Sequence, residues 1–179
     1  MDLQLLHPDR VEYPAAPDPA LQKAGYTYIG VVQLDGSDEW VPLAIVERGR
    51  VRELAAIDGN KIVTLDLEVA GPVFYDALDA ACEELWQHNW NSMLGSLFGL
   101  NRRTLQRDRV SRYLLPARVV ETLVYILSAD DAAELSLLLQ AIAAYEAKFG
   151  NRKIVENYVA GGLKLFYDKS GPGSGFQSR

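Results

Sequence analysis

The apolar residues of this chain change their spacing at Ala70-Gly71-Pro72, and this change limits the folds open to the chain. Before it, residues 26–70 hold short runs rich in aromatic and β-branched residues, separated by turn clusters such as Asp58-Gly59-Asn60, which is typical of a hairpin. After it, apolar residues recur at helical spacing. Because strands are followed by helices, the sequence predicts an α+β protein with a small antiparallel β-meander followed by a helical region.

The β region, residues 26–70, is predicted to hold four strands: Tyr26 to Leu34, Trp40 to Val46, Val51 to Ile57 and Lys61 to Val69. Pro42 in the second strand indicates an edge position or a bulge, since proline has no N–H for a sheet ladder. Residues 1–25 contain four prolines and little periodicity, so they are predicted to form an irregular arm.

The helical region, residues 71–128, is predicted to start at Pro72 and to hold a first helix from Val73 to Asn89. Ser128 is predicted to cap a long apolar helix that ends near Phe149. Residues 129–169 are interpreted as C-terminal helices with a possible role in dimerisation. Residues 170–179 are rich in glycine and serine and predict a flexible tail.

The segment from Asn91 to Arg107 predicts a short helix, a tight turn and a second helix, the arrangement of a helix-turn-helix. Gly99 falls at the turn, where a positive φ is needed. Gly95 is small enough for the second helix to cross close to the first. Four apolar side chains fall where the two helices must bury surface: Leu94, Phe98, Leu100 and Leu105.

The string Gly-Leu-Asn-Arg-Arg-Thr-Leu-Gln-Arg, from Gly99 to Arg107, resembles the turn and recognition helix of phage-repressor-like (XRE/Cro-type) regulators. The resemblance covers roughly residues 74–128, and Pro116 begins a segment that matches the proline-led helix following the motif in that family. It implies sequence-specific binding of double-stranded DNA by a homodimer that acts as a transcriptional regulator. Asp108 departs from the family, which usually has an apolar residue there. Either the recognition helix ends early, or Val110 takes over the packing role.

Positive charge is concentrated next to this motif. Residues 101–118 hold six arginines against one acid, Asp108, and therefore carry a charge of +5 in a chain whose total is −6, which leaves −11 for the rest. A cationic patch on an acidic body is typical of a protein that orients itself on a polyanion.

The predicted recognition helix offers side chains of the two kinds that DNA binding needs. Asn101 is predicted to cap the helix. Arginine reads guanine and glutamine reads adenine, so Arg102, Arg103 and Gln106 are predicted to contact base edges. The remaining candidates are suited to phosphate, which positions a protein without specifying sequence. They are Thr104, Arg107, Arg109 and Arg112.

Other kinds of site are not expected. The chain has only two histidines, His7 and His88, which are too few for a metal centre or a Ser-His-Asp arrangement, so we predict no metal, no cofactor and no enzymatic activity. Cys82 is interpreted as a small buried apolar residue. The acids Asp76, Asp79 and Glu83 are interpreted as a solvated helix face.

The sequence also bears on location. It lacks a run of about 18 apolar residues, so no membrane span is predicted, and its first residues do not resemble a secretory signal. A single cysteine suits a reducing compartment, so we expect the cytoplasm.

Two other classes of function stay open at this stage. One is a DNA-contacting subunit of a replication, partition or packaging assembly. The other is an adaptor or inhibitor that binds a protein partner through its acidic body and does not bind DNA.

Overall fold

The computed structural model describes residues 1–8, 18–59 and 61–149. In these ranges an antiparallel sheet precedes a group of helices, which confirms the predicted α+β class. The tail predicted at residues 170–179, and the part of the C-terminal helices predicted beyond residue 149, lie outside the described residues.

The sheet has five strands in the order of the chain, each antiparallel to the next. The predicted meander is therefore present, with one strand more than expected. The strands are β1 (Asp2–Leu5), β2 (Tyr26–Gln33), β3 (Trp40–Arg48), β4 (Val51–Asp58) and β5 (Lys61–Leu65). The predicted hairpin is confirmed, since Asp58 pairs with Lys61 across a turn in which Gly59 has φ 55°.

The prediction of an irregular arm over residues 1–25 is wrong at both ends. Residues Asp2–Leu5 form β1, which pairs with β2 and buries Leu3 opposite Val32. Residues Pro19–Lys23 form the short helix α1, where Asp18 accepts a hydrogen bond from the N–H of Ala20. A four-residue strand has too few positions to show a pattern, and only its pairing with a distant strand defines it.

Pro42 was predicted to mark an edge position or a bulge. It marks neither for the strand as a whole, because β3 lies in the middle of the sheet and the register shift between β2 and β3 falls opposite Leu43 and Ala44. The edge prediction holds locally. Pro42 pairs with Val31 of β2, whereas the pairing with β4 begins only at Leu43. The missing N–H of Pro42 therefore interrupts no ladder between β3 and β4.

Both faces of the sheet bury apolar residues. One face packs against the helices through residues such as Ile29, Leu43 and Leu54. The other face carries a smaller cluster around Tyr28 and Ala44, with Leu21 of α1 packed against it and other apolar residues beside it. Because both faces are covered in the central strands, the alternation of apolar and polar residues is incomplete there.

Five longer helices follow the sheet. They are α2 (Leu67–Trp86), α3 (Trp90–Phe98), α4 (Arg107–Tyr113), α5 (Ala117–Leu127) and α6 (Ala132–Phe149), with 3-10 turns at Gln87–Asn89 and Arg102–Leu105.

Two predicted helix starts are wrong. Asp66 accepts a hydrogen bond from the N–H of Glu68 at 3.0 Å and caps α2, so β5 ends early and Pro72 lies inside the helix rather than at its start. Ser128 ends α5 instead of starting α6, because its hydroxyl donates back to the carbonyl of Val124 at 2.9 Å.

The helices α2 and α4 cross at Gly71. A Cβ on this glycine would lie 2.0 Å from the carbonyl oxygen of Ser111, which is far inside contact distance. The absence of a side chain at residue 71 therefore sets how closely α4 approaches α2. This crossing fixes the position of the arginines on α4.

Candidate nucleic-acid interface

The first half of the predicted helix-turn-helix has the expected form. The helix α3 ends at Phe98, and Gly99 adopts the left-handed conformation with φ 64°. A Cβ on Gly95 would lie 3.1 Å from the carbonyl oxygen of Leu100, so the chain after the turn does approach α3 closely at this glycine. Leu94 and Leu105 are fully buried, and Phe98 and Leu100 are partly buried against the same core.

The predicted recognition helix is wrong in form, and the helix-turn-helix is not confirmed. Residues Arg102–Leu105 form a 3-10 turn, Gln106 is extended with ψ 144°, and a separate helix, α4, begins at Arg107. The predicted cap at Asn101 is present, since its Oδ1 accepts a hydrogen bond from the N–H of Arg103 at 2.9 Å, but it caps the 3-10 turn.

The break at Gln106 has a physical cause in the sequence. In a continuous helix that buried Leu105, the positions three, four and seven residues later would share its face. Those positions are Asp108, Arg109 and Arg112, whose burial would cost several kcal/mol each. The break changes the phase, so that Val110 is buried and all three charged side chains are exposed. Val110 thus takes the packing role that Asp108 cannot fill.

Every residue of the predicted DNA-binding set is exposed. We call residues 101–112 the basic surface. Its predicted contact residues are Asn101, Arg102, Arg103, Thr104, Gln106, Arg107, Arg109 and Arg112.

Two clefts divide these side chains into groups. The larger, of about 720 Å³, brings together Arg102, Arg103 and Gln106, the three residues predicted to contact bases, with Arg107 beside them. The smaller, of about 220 Å³, contains Thr104 and Arg109, two of the residues predicted to contact phosphate. Arg103 lines both clefts, so the 3-10 turn stands between them. Arg112 lines neither of these two clefts and is exposed on α4.

Arg107 is partly neutralised by an acid. Its guanidinium lies 2.8 Å from Asp76 of α2 and 5.3 Å from the ring centroid of Tyr75. The side chains of Arg107 and Asp76 are 59% and 58% exposed, so the pair is solvated and contributes at most about 1 kcal/mol. A phosphate group competes readily for an arginine held this weakly.

An aromatic ring accompanies an arginine in each cleft. Tyr75 lies in the larger cleft, where burial and then the charge of Asp79 raise the pKa of its hydroxyl above the ordinary 10.0, while Arg107 acts in the opposite direction. In the smaller cleft Arg109 lies 5.8 Å from the ring centroid of Tyr113, whose side chain is 58% exposed.

Sequence reasoning missed these tyrosines and two of their neighbours, Asp76 and Arg52. Arg52 of β4 contacts the carbonyl oxygens of Tyr113 and Leu114 at 3.5 and 3.4 Å and so ties the sheet to the end of α4. Tyr113 directly follows Arg112 but lies outside the matched motif, whereas Tyr75, Asp76 and Arg52 come from helix and strand positions far from the basic surface in sequence. The sequence feature that indicated this surface was the concentration of arginine in residues 101–118.

The remaining candidate groups are structural. Cys82 is buried, as predicted, and burial raises the pKa of its thiol. The predicted solvated acidic face is wrong for Asp79, which accepts a hydrogen bond from the indole N–H of Trp90 at 2.8 Å. The described ranges contain no group of three or more His, Cys, Asp or Glu side chains arranged to hold a metal ion. Nor does any helix in them combine the length and apolarity needed to cross a bilayer.

Comparison with protein-family models, with curated protein sequences and with solved structures gives no match for this chain.

Proposed function

We propose that this chain binds double-stranded DNA through the basic surface and acts in the cytoplasm as a transcriptional regulator. The observation that carries the proposal is the exposure of all eight candidate side chains within a twelve-residue stretch. An arginine with only a structural role would be paired with an acid or buried. Here five arginines of this stretch face solvent, and within the described residues only Arg107 forms an ion pair.

The two clefts separate most of the residues suited to base contacts from Thr104 and Arg109, which are suited to phosphate contacts. The larger cleft groups Arg102, Arg103 and Gln106, which have the donors and acceptors for base edges. Arg109 and Arg112 on α4 follow them and are suited to the phosphate backbone. Because a 3-10 turn precedes α4, the element offered to the groove is short, and the phosphate contacts would supply most of the affinity.

The charge of the rest of the chain favours a single binding orientation. The basic segment, residues 101–118, carries +5 and the remainder −11. DNA repels the remainder, so only the basic surface makes favourable contact with the phosphates.

A binding titration tests the proposal directly. Fluorescence anisotropy with a labelled random-sequence duplex at about 50 mM salt should give saturable binding, because phosphate contacts are strongest at low salt. The triple variant Arg102→Ala, Arg103→Ala, Arg109→Ala should lose binding at least about tenfold, since each arginine contributes a phosphate or base contact.

Lys23→Ala serves as a control, because Lys23 is an exposed cation on α1, a helix that packs through Leu21 on the face of the sheet opposite the longer helices. Equal binding by the triple variant and Lys23→Ala would refute the assignment of the surface. No binding by the unaltered chain would refute DNA binding and favour a protein-partner adaptor. If the unaltered chain binds DNA, selection from a random duplex library will report whether the binding is sequence-specific.

The Tyr–Arg pairs favour a second candidate, binding of unpaired nucleic-acid bases. Tyrosine rings and guanidinium planes stack on exposed bases, which a continuous duplex does not offer. Tyr113 is open enough to accept a base. Competition of the labelled duplex by an unlabelled single strand of the same sequence separates the two. Stronger competition by the single strand than by the duplex would favour the second candidate.

A further inference from the structure

The smaller cleft of the basic surface gathers three arginines from three different elements. Arg52 comes from β4, Arg103 from the 3-10 turn and Arg109 from α4, and Thr104 adds a hydroxyl group beside them. Among the described residues that line this cleft of about 220 Å³, none is acidic. A small cleft with several guanidinium groups and no lining carboxylate suits an anion that has several acceptor oxygens.

Arg52 is held in place by the protein and still offers a donor. Its Nε pairs with Glu47, which lies opposite it on β3, and its Nη1 donates to the carbonyl oxygens of Tyr113 and Leu114. Its side chain is only 24% exposed. Within the described ranges its Nη2 has no hydrogen-bond partner. The fixed guanidinium of Arg52 therefore keeps one donor group for a ligand in the cleft.

The cleft wall at the end of α4 has an unfavourable backbone conformation. Leu114 follows α4 with φ 52° and ψ 165°, a region that leucine rarely adopts. Its side chain is 2% exposed, so burial in the core compensates for the strain. At this turn the carbonyl oxygens of residues 113 and 114 accept from Arg52, and Tyr113 lies beside Arg109. This part of the cleft is therefore formed before a ligand binds.

The charges around the cleft match a dianion better than a monoanion. Glu47 compensates the charge of Arg52, whereas Arg103 and Arg109 form no ion pair within the described residues. The positive charge of these two arginines is therefore uncompensated. A phosphate monoester carries a charge of about −1.5 to −2 at neutral pH, whereas each phosphodiester of a nucleic-acid backbone carries about −1.

We infer that the smaller cleft binds a phosphate monoester group through Arg52, Arg103 and Arg109. Such a group has two sources, the terminal 5′-phosphate of a nucleic acid and a small phosphorylated compound, and both present the same dianion. The inference goes beyond the proposed function, because Arg52 lies outside the set predicted to bind duplex DNA. It does not require that the chain bind a duplex.

Titration of the full chain with methyl phosphate at pH 8 and constant ionic strength tests the inference. The NMR signals of the Thr104 amide and of the side-chain Nε–H groups of Arg52 and Arg109 should shift and saturate. Dimethyl phosphate is the matched probe, because it has the same tetrahedral group with one charge less. It should bind at least about tenfold more weakly, since charge-assisted hydrogen bonds dominate the affinity.

Two arginine variants locate the site. Arg109→Ala should weaken methyl phosphate binding at least about tenfold, because it removes a charged donor from the cleft. Arg109 is exposed, so this variant should keep the fold and its circular dichroism. Arg102→Ala is the matched control, since Arg102 is exposed on the same 3-10 turn as Arg103 but lines only the larger of the two clefts. It should leave methyl phosphate binding unchanged.

A pair of oligonucleotides then distinguishes the two sources of the monoester. A single strand with a 5′-phosphate is compared with the same strand ending in a 5′-hydroxyl. Tighter binding of the phosphorylated strand assigns the site to nucleic-acid ends, and equal binding of the two strands assigns it to a small phosphorylated compound.

Three results would overturn the inference: no saturable binding of methyl phosphate, equal binding of methyl and dimethyl phosphate, or an equal loss in Arg102→Ala and Arg109→Ala. The last two would indicate general attraction to a cationic surface. Failure of the proposed function is distinguishable. A chain that binds methyl phosphate but no duplex contradicts only the proposed function, and one that binds a duplex but does not distinguish the two esters contradicts only this inference.

Discussion

Burial of the Cys82 thiol makes the stability of the folded chain depend on pH. Its thiol is fully buried among core residues of α2, and desolvation raises its pKa above the ordinary 9.0. A thiol whose pKa is raised in the folded chain stays protonated there after it has ionised in the unfolded chain. The stability it contributes is therefore present below pH 9 and is lost as the pH rises above that value.

We expect the free energy of unfolding to fall between pH 8 and pH 10.5, by up to about 1.4 kcal/mol for each pH unit above 9. Urea denaturation at each pH measures it. Cys82→Ala should remove this part of the pH dependence, although it lowers stability at every pH through the lost packing. An unchanged pH profile in Cys82→Ala would show that Cys82 does not cause the dependence.

At the scale of the elements, the crossing of α2 and α4 decides where the arginines point. The glycine at residue 71 permits the approach, and the arginine at residue 52 contacts the carbonyl oxygens at the end of α4. The break at Gln106 then turns the charged residues of α4 toward solvent. The basic surface therefore depends on the contacts that α2 and β4 make with α4 as well as on its own sequence.

Gly71→Ala should destabilise the chain by roughly 1–3 kcal/mol, because its Cβ would lie 2.0 Å from a backbone oxygen that cannot move without shifting α4. This cost exceeds the gain of up to about 1 kcal/mol that alanine brings inside a helix. Urea denaturation measures the change. Gly95→Ala is the matched comparison, since it is also helical and its Cβ would lie 3.1 Å from the nearest oxygen. A smaller loss for Gly71→Ala than for Gly95→Ala would contradict the close-contact argument.

For the molecule as a whole, the separation of charge matters more than the total. A chain of net charge −6 repels DNA on average, yet one-third of its 18 basic residues lie in residues 101–118. Binding should therefore be highly sensitive to salt, because it depends on a few phosphate contacts that work against general repulsion.

Arg109→Ala should weaken binding to all duplex sequences similarly and should lower the slope of log K against log salt by about 1. Gln106→Ala should leave that slope unchanged and should reduce the preference for the selected sequence over a random one. Titrations at four salt concentrations measure both effects. An equal loss on every sequence for Gln106→Ala would count against its base-reading role.

Local sequence patterns were enough to predict the α+β class, the meander, the glycine turn at residue 99 and the exposed, arginine-rich character of residues 101–112. Each of these follows from local spacing or from the cost of burying charge. Tertiary packing was needed to define the pairing of β1 and the partners Tyr75, Asp76 and Arg52. It also decided that a 3-10 turn and a separate helix replace one recognition helix. These features depend on which distant surfaces meet, because a strand of four residues or a change of helical phase is stabilised only by its contact with the rest of the chain.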